Sequence, residues 1–145
     1  LLPLLPLALL QSLVCYGVAI ILGLPVTGNI LYAAALMLPT ALFFLSTGLL
    51  CGSVLNVKQV GAVCGALFTN LTAWLSGTWF DLNLVGGAFR RIAHALPFVH
   101  AVELERAALR GSVSALAPHL FWVLGYAAAA TGLAVGLFLR QMKRQ

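Results

Sequence analysis

Apolar residues fill four long stretches of this chain, and polar residues gather in the gaps between them. The first stretch, about 1–24, ends at Gly23, Pro25, Thr27, Gly28 and Asn29, a cluster of breaker and turn residues. The second, about 30–55, stops at a tight polar turn of Asn56, Val57, Lys58 and Gln59. The third, about 60–80, meets Asp81 and Asn83, and the fourth, about 116–139, runs into Arg140, Lys143 and Arg144. A helix rising ~1.5 Å per residue needs ~20 mainly apolar residues to cross a ~30 Å hydrocarbon core. Each stretch has room for one crossing. The pattern predicts an all-α membrane protein, 1–145, with four transmembrane helices in one domain.

Between the third and fourth stretches the pattern changes. Asp81, Arg90, Arg91, Glu103, Glu105, Arg106 and Arg110 are spaced too closely to leave another crossing. Within about 84–110, however, Val85, Ala88, Phe89, Ile92, Ala93 and Leu96 recur at i, i+3 and i+4, which is one face of a helix. This predicts an amphipathic or re-entrant helix broken at Pro97, followed by a short helix from about Val99 to Leu109. Irregular backbone at membrane depth requires a covering of protein or a watery cavity, which points to a pore, a gate or a lid. The same stripe fits an interfacial helix lying flat on the membrane.

Composition narrows the class. Of 145 residues, 62% are hydrophobic and 8% charged, whereas soluble domains carry about 25% charged residues. Disordered chains are poor in apolar residues, and the strands of a membrane barrel alternate apolar and polar; neither describes this sequence. The net charge of +5 is not arranged as a basic stripe interleaved with aromatics, which argues against nucleic acid. Cys15, Cys51 and Cys64 lie in apolar runs without CxxC spacing and read as small buried hydrophobes. The chain opens on Leu1 inside an apolar run with no basic region ahead of it, as expected for a piece of a longer protein rather than a signal peptide.

Four crossings return the chain to the side on which it began. Lys58, Arg140, Lys143 and Arg144 then share one face with both termini, and the positive-inside rule makes that face cytoplasmic. Arg90, Arg91, Arg106 and Arg110 lie on the opposite side, so a bare count of basic residues is tied.

No catalytic constellation is legible: GxxxxGK[ST], HExxH and GxSxG are all absent. His100 and Glu103, with His94 nearby, lack a third ligand at helical spacing, so no metal site and no cofactor are expected. Glu103 and Arg106 read as an i, i+3 salt bridge on a helix surface. Gly48 with Gly52, Gly61 with Gly65, and Gly132 with Gly136 each fit GxxxG, a pattern that lets helices approach closely. Thr69, Thr72 and Ser76 fall on one stripe of the third crossing, with Asn70 beside them. They line a translocation path or a subunit seam, or else bond back to carbonyls one turn earlier. Trp74, Trp79, Phe80, His119, Phe121 and Trp122 suit interface anchors.

Leu75-Ser76-Gly77-Thr78-Trp79-Phe80, then Arg90-Arg91-Ile92-Ala93-His94-Ala95-Leu96-Pro97-Phe98, then Glu103-Leu104-Glu105-Arg106-Ala107, then an apolar crossing and a basic tail, resemble the C-terminal part of ABC-2-type transporter permeases. The resemblance runs from Gln11-Ser12 to Arg140 and rests on the order SG, then LP about twenty residues later, then a short charged helix. It implies helices three to six of a six-helix bundle that works as a homodimer or heterodimer with a cytoplasmic ATPase. It also implies an outer re-entrant gate at Ser76, Gly77, Phe89, Ile92, Leu96 and Pro97, and a loop toward the ATPase at Asn56, Lys58 and Gln59. The function implied is ATP-driven export of a drug, lipid or glycan-like substrate across the bacterial inner membrane, with no catalytic residue in this chain. Arg90-Arg91 is more basic than that family's pattern. A different class, a structural or assembly subunit held by its GxxxG surfaces, fits the same sequence. A secondary transporter fits less well, because no ionisable residue lies within the crossings apart from His119 near an end.

Overall fold

A computed structural model describes residues 2–143, and the Arg144 of the basic tail lies outside them. The described residues form helices α1 (Leu5–Ile21), α2 (Asn29–Val54), α3 (Val57–Val60), α4 (Thr69–Leu75), α5 (Leu82–Val85), α6 (Gly87–Ala95), α7 (Pro97–Arg110) and α8 (Val113–Met142). A π-helical stretch, Gly61–Phe68, joins α3 to α4 without a break. No strand occurs among the described residues. Two helices, α2 and α8, are long and apolar enough to cross a membrane, and α1 is a shorter apolar helix.

The ends of these elements follow local chemistry. Asn56 caps α3: its side chain accepts from the Gln59 N–H at 3.0 Å, and the Gln59 side chain accepts from the Asn56 N–H at 3.1 Å, a reciprocal capping box. Lys58 and Gln59 therefore sit in the first helical turn, and the polar turn of the sequence reading shrinks to Leu55 and Asn56. At the other end the helix stops at Leu75 rather than near Phe80. Gly77 follows at φ +70°, the left-handed geometry that ends helices and favours glycine. Ser76 Oγ also bonds the Ala73 carbonyl at 3.0 Å, which helps to close the last turn.

The amphipathic stripe read between 85 and 96 is split, because Gly86 and Gly87 both take positive φ and separate α5 from α6. Ala93 is buried, and Phe89 and Leu96 pack against the main core, whereas Val85 and Ile92 are exposed. The break at Pro97 is present: Leu96 is extended at φ −97° and ψ 157°, and Pro97 opens α7, the helical position where its missing N–H costs nothing.

Packing fixes where α7 sits. Phe98, near its start, meets Phe43 and Phe44 at ring-centroid distances of 6.1 and 6.4 Å. At its end the Leu109 carbonyl accepts from Asn29 Nδ2 at 3.3 Å. Asn29 opens α2, and Phe43 lies about 21 Å further along it at ~1.5 Å per residue. Helix α7 thus runs antiparallel along the first half of α2, with its start at mid-bundle. Helices α2 and α8 pair in parallel, with Phe43 against Tyr126 and a 2.7 Å hydrogen bond between the Ser46 and Thr131 hydroxyls. A second link is donated by the Gln141 side chain to the Ser53 carbonyl.

Two apolar clusters hold the bundle. One gathers Phe43, Leu75, Leu82, Ala93, Phe98, Val99 and Ala127; the other gathers Ala33, Leu104, Ala107, Ala108, Leu116 and Val123. Cys15 faces outward and Cys51 and Cys64 are half-buried, all three as free thiols, so the reading of buried hydrophobes fails for Cys15. Its position on the apolar, outward-facing α1 accounts for the difference.

Candidate functional site

The third apolar stretch, α2 and α7 border an open-sided cavity of about 670 Å³. Thr69, Thr72 and Ser76 contribute one wall, Thr40, Phe44 and Thr47 the α2 side, and Phe98, Glu105 and Arg106 the α7 side. Helical spacing puts the three hydroxyls of the third stretch on one stripe. Asn70 is on the opposite side, where it lines a separate groove with Ala66 and Trp74. The structure therefore brings Thr69, Thr72 and Ser76 together and leaves Asn70 apart.

Each of these four side chains bonds a carbonyl of its own helix. Thr69 donates to Cys64 at 3.0 Å, Asn70 to Ala66 at 2.7 Å, Thr72 to Phe68 at 2.7 Å and Ser76 to Ala73. Such bonds consume the donor and leave the hydroxyl oxygen able to accept. Thr69 reaches back five residues because it follows the π-helical stretch, a local feature that recurs at functional sites.

Glu105 is the residue that the sequence reading missed. Sequence spacing alone reads it as one charge in a charged helix, yet Ala101, Leu104, Ala108 and Leu109 at i−4, i−1, i+3 and i+4 mark its face as inward. Tyr16, from α1, donates its hydroxyl to Glu105 Oε2 at 2.8 Å. Oε1 is buried with no partner, as is Thr40 Oγ1. Burial pushes the Glu105 carboxyl up to about 7, while the Tyr16 hydrogen bond pulls it down. Glu103 and Arg106 form the expected i, i+3 ion pair at 2.8 Å.

The three histidines meet as a polar clamp. His100 is buried, its Nδ1 lies 2.9 Å from His119 Nδ1, and its Nε2 lies 2.9 Å from the His94 carbonyl. Trp122 stacks on His100 at 5.0 Å, and the Tyr126 hydroxyl donates to the Ala95 carbonyl at 2.7 Å. No group of three potential ligands suited to a metal occurs among the described residues. Trp79 and Phe121 are largely exposed, whereas Trp122 and His119 belong partly to this clamp.

Of the expected gate residues, Pro97 is buried, Phe89 and Leu96 pack on the aromatic core, and Ile92 faces outward. Gly77 sits against Leu82, where an added Cβ would meet the Leu82 side chain at 3.2 Å. The paired glycines behave differently. An added Cβ at Gly48, Gly52, Gly61, Gly65, Gly132 or Gly136 would meet nothing within 4 Å, so none serves a close approach within this chain.

Two apolar helices of membrane-crossing length, with large outward-facing hydrophobics around them, point to a helical membrane protein. The sequence pattern of the ABC-2 type transporter family matches residues 1–109, and the chain belongs to that family. It is thus a membrane transport component rather than itself an enzyme. No curated protein and no solved structure matches it.

Proposed function

We propose that this chain is the membrane-spanning permease part of an ATP-binding-cassette exporter. It moves a drug, lipid or glycan-like substrate out of the cytoplasm with ATP hydrolysed by a partner subunit. The observation that carries the reading is the cavity between the third apolar stretch, α2 and α7, in a chain that matches the family over residues 1–109. The bundle crosses the membrane four times: α1, α2, the continuous helix from α3 to α4, and α8. The third of these is helical from Val57 to Leu75, a length of about 28 Å at ~1.5 Å per residue.

In this reading Thr69, Thr72 and Ser76 line the translocation path, and Asn70 lies at a seam with a second permease, identical or not. Helices α5 to α7 form the re-entrant outer gate, supported by the start of α7 at mid-bundle, with Phe89, Leu96 and Pro97 as its packed parts. Asn56, Lys58 and Gln59 face the ATPase on the cytoplasmic side of the bacterial inner membrane, with both ends of the segment. ATP binding on the partner biases inward-open and outward-open bundles, and differential contacts of substrate with each drive export.

The test is to purify the full-length protein with its native neighbours and measure the turnover of any co-purifying ATPase. Turnover that depends on this subunit and falls when Thr69, Thr72 and Ser76 are replaced together supports the reading. A clean preparation without ATPase overturns it in favour of an assembly subunit, which the unused glycine pairs would suit.

A further inference from the structure

Two charged side chains line the main cavity, and they differ in what they have left to give. Arg106 is paired with Glu103 at 2.8 Å. Glu105 accepts one hydrogen bond, from Tyr16 of α1, and its second oxygen is buried without a donor. Across the cavity on α2, Thr40 also keeps a buried oxygen without a partner. A buried carboxylate oxygen with nothing to accept from is among the costliest groups a fold can hold. An ionisable group with an unpartnered buried oxygen on a cavity wall points to a ligand or a proton relay. The rest of the wall is mainly apolar, with the rings of Phe44, Phe68 and Phe98, whose faces attract cations and repel anions.

Resting on the exporter reading, we propose that this cavity binds a lipophilic organic cation, with Glu105 as its counter-ion and Phe44, Phe68 and Phe98 as its apolar seat. A neutral or anionic compound of the same shape would leave the carboxylate unpaired. Because burial holds the Glu105 carboxyl up to about 7, it is about half protonated at neutral pH, and cation binding releases that proton to water. The groups that face Glu105 allow this exchange. Tyr16 of α1 donates to it; the other polar groups of the cavity wall are Thr40 and Thr47 of α2 and Cys64, Thr69 and Thr72 of the third stretch, and on α7 itself Arg106 is paired with Glu103.

The test uses the purified full-length permease with its ATPase and three probes of one shape: tetraphenylphosphonium, neutral tetraphenylsilane and tetraphenylborate. At pH 8 the cation should bind about tenfold or more tighter than the neutral compound, the factor that a single modest ion pair supplies. Below pH 7 its affinity should fall by up to about tenfold per pH unit, while the neutral compound stays level. E105Q, which can still accept from Tyr16, should bring cation and neutral compound within about twofold and abolish the pH slope, whereas E105D should retain both. Equal binding of cation and neutral compound, or an E105Q protein that matches the unmodified one, overturns the proposal. If E105Q fails to assemble, the pH profile of the unmodified protein and the E105D variant decide. ATPase stimulated by the neutral or anionic probe and not by the cation overturns the cation site and leaves the exporter standing. Absence of any coupled ATPase overturns the exporter reading, and probe binding then decides the site by itself.

Discussion

Removing the Phe98 ring should unseat the start of α7 and, with it, one wall of the cavity. Phe98 is 7% exposed and meets Phe43, Phe44 and Phe68 at 6.1, 6.4 and 5.7 Å between ring centroids. It thus ties α7 to α2 and to the third apolar stretch at once. In a soluble core Phe→Ala costs about 3–5 kcal/mol. In a bilayer the transfer part shrinks, because the displaced side chains meet lipid rather than water. What remains is the void: roughly 100 Å³ of lost ring at ~24 cal/mol per Å³ gives about 2.4 kcal/mol. Lost aromatic pairing adds about 0.5–1.5 kcal/mol per contact where the rings cannot close up. F98A should therefore lose about 2–4 kcal/mol, and F98L, which refills most of the volume, less than about 1.5 kcal/mol. The assay is reversible unfolding of the full-length protein in bicelles, together with proteolysis near Leu96. An F98A protein within about 0.5 kcal/mol of the original, with no new cleavage, would refute the idea that the aromatic seat holds α7.

Gly77→Ala should cost about 1–2 kcal/mol, from the left-handed φ and the tight approach to Leu82, and a thermal-shift assay should separate it from a near-neutral Gly132→Ala. Replacing Ser46 by Ala should cost about 0.6 kcal/mol and no more than about 1.7 kcal/mol, read from unfolding in bicelles and compared with Thr131→Val in a double-mutant cycle. Asn56→Ala should cost about 1 kcal/mol and fray α3, seen as faster amide exchange at Gln59. For pH, the Glu105 carboxyl stands at about 7 in the fold against an ordinary 4.5. The folded state therefore holds the proton that the unfolded chain gives up, and stability falls as pH rises from about 4.5 to about 7, then levels. The loss is at most about 3.4 kcal/mol before solvent screening, and E105Q should flatten the curve.

Much of the fold is legible because hydrophobic runs and breakers act locally. Gly23, Asn56 and Pro97 each mark a boundary, and the structure stops or starts a helix within a residue or two of each. The stripe from Val85 to Leu96 misled because a period of 3.6 does not reveal that Gly86 and Gly87 both take positive φ. The third stretch ended early for a related reason, since Gly77 acts only once its backbone has turned left-handed. The cavity was half legible: Thr69, Thr72 and Ser76 share a stripe in any helix, but their facing Thr40 and Glu105 are set by how α2 and α7 cross. The hydrogen bond from Tyr16 to Glu105 spans 89 positions, and no local pattern encodes such a pairing. Asn70 stands beside the hydroxyls in sequence, yet one residue along a helix is a turn of about 100° away.

The seat of α6 and α7 draws on both sides of the chain. Phe43 and Phe44 precede it, whereas His119, Trp122 and Tyr126, which clamp His100 and the end of α6, follow it. In order of synthesis, the first partners are already made when Pro97 emerges, and the second set arrives only with the last apolar helix. Residues 87–110 therefore cannot complete their packing until α8 is present. A chain cut before Trp122 should leave this outer segment open to protease, whereas a chain that keeps α8 should protect it.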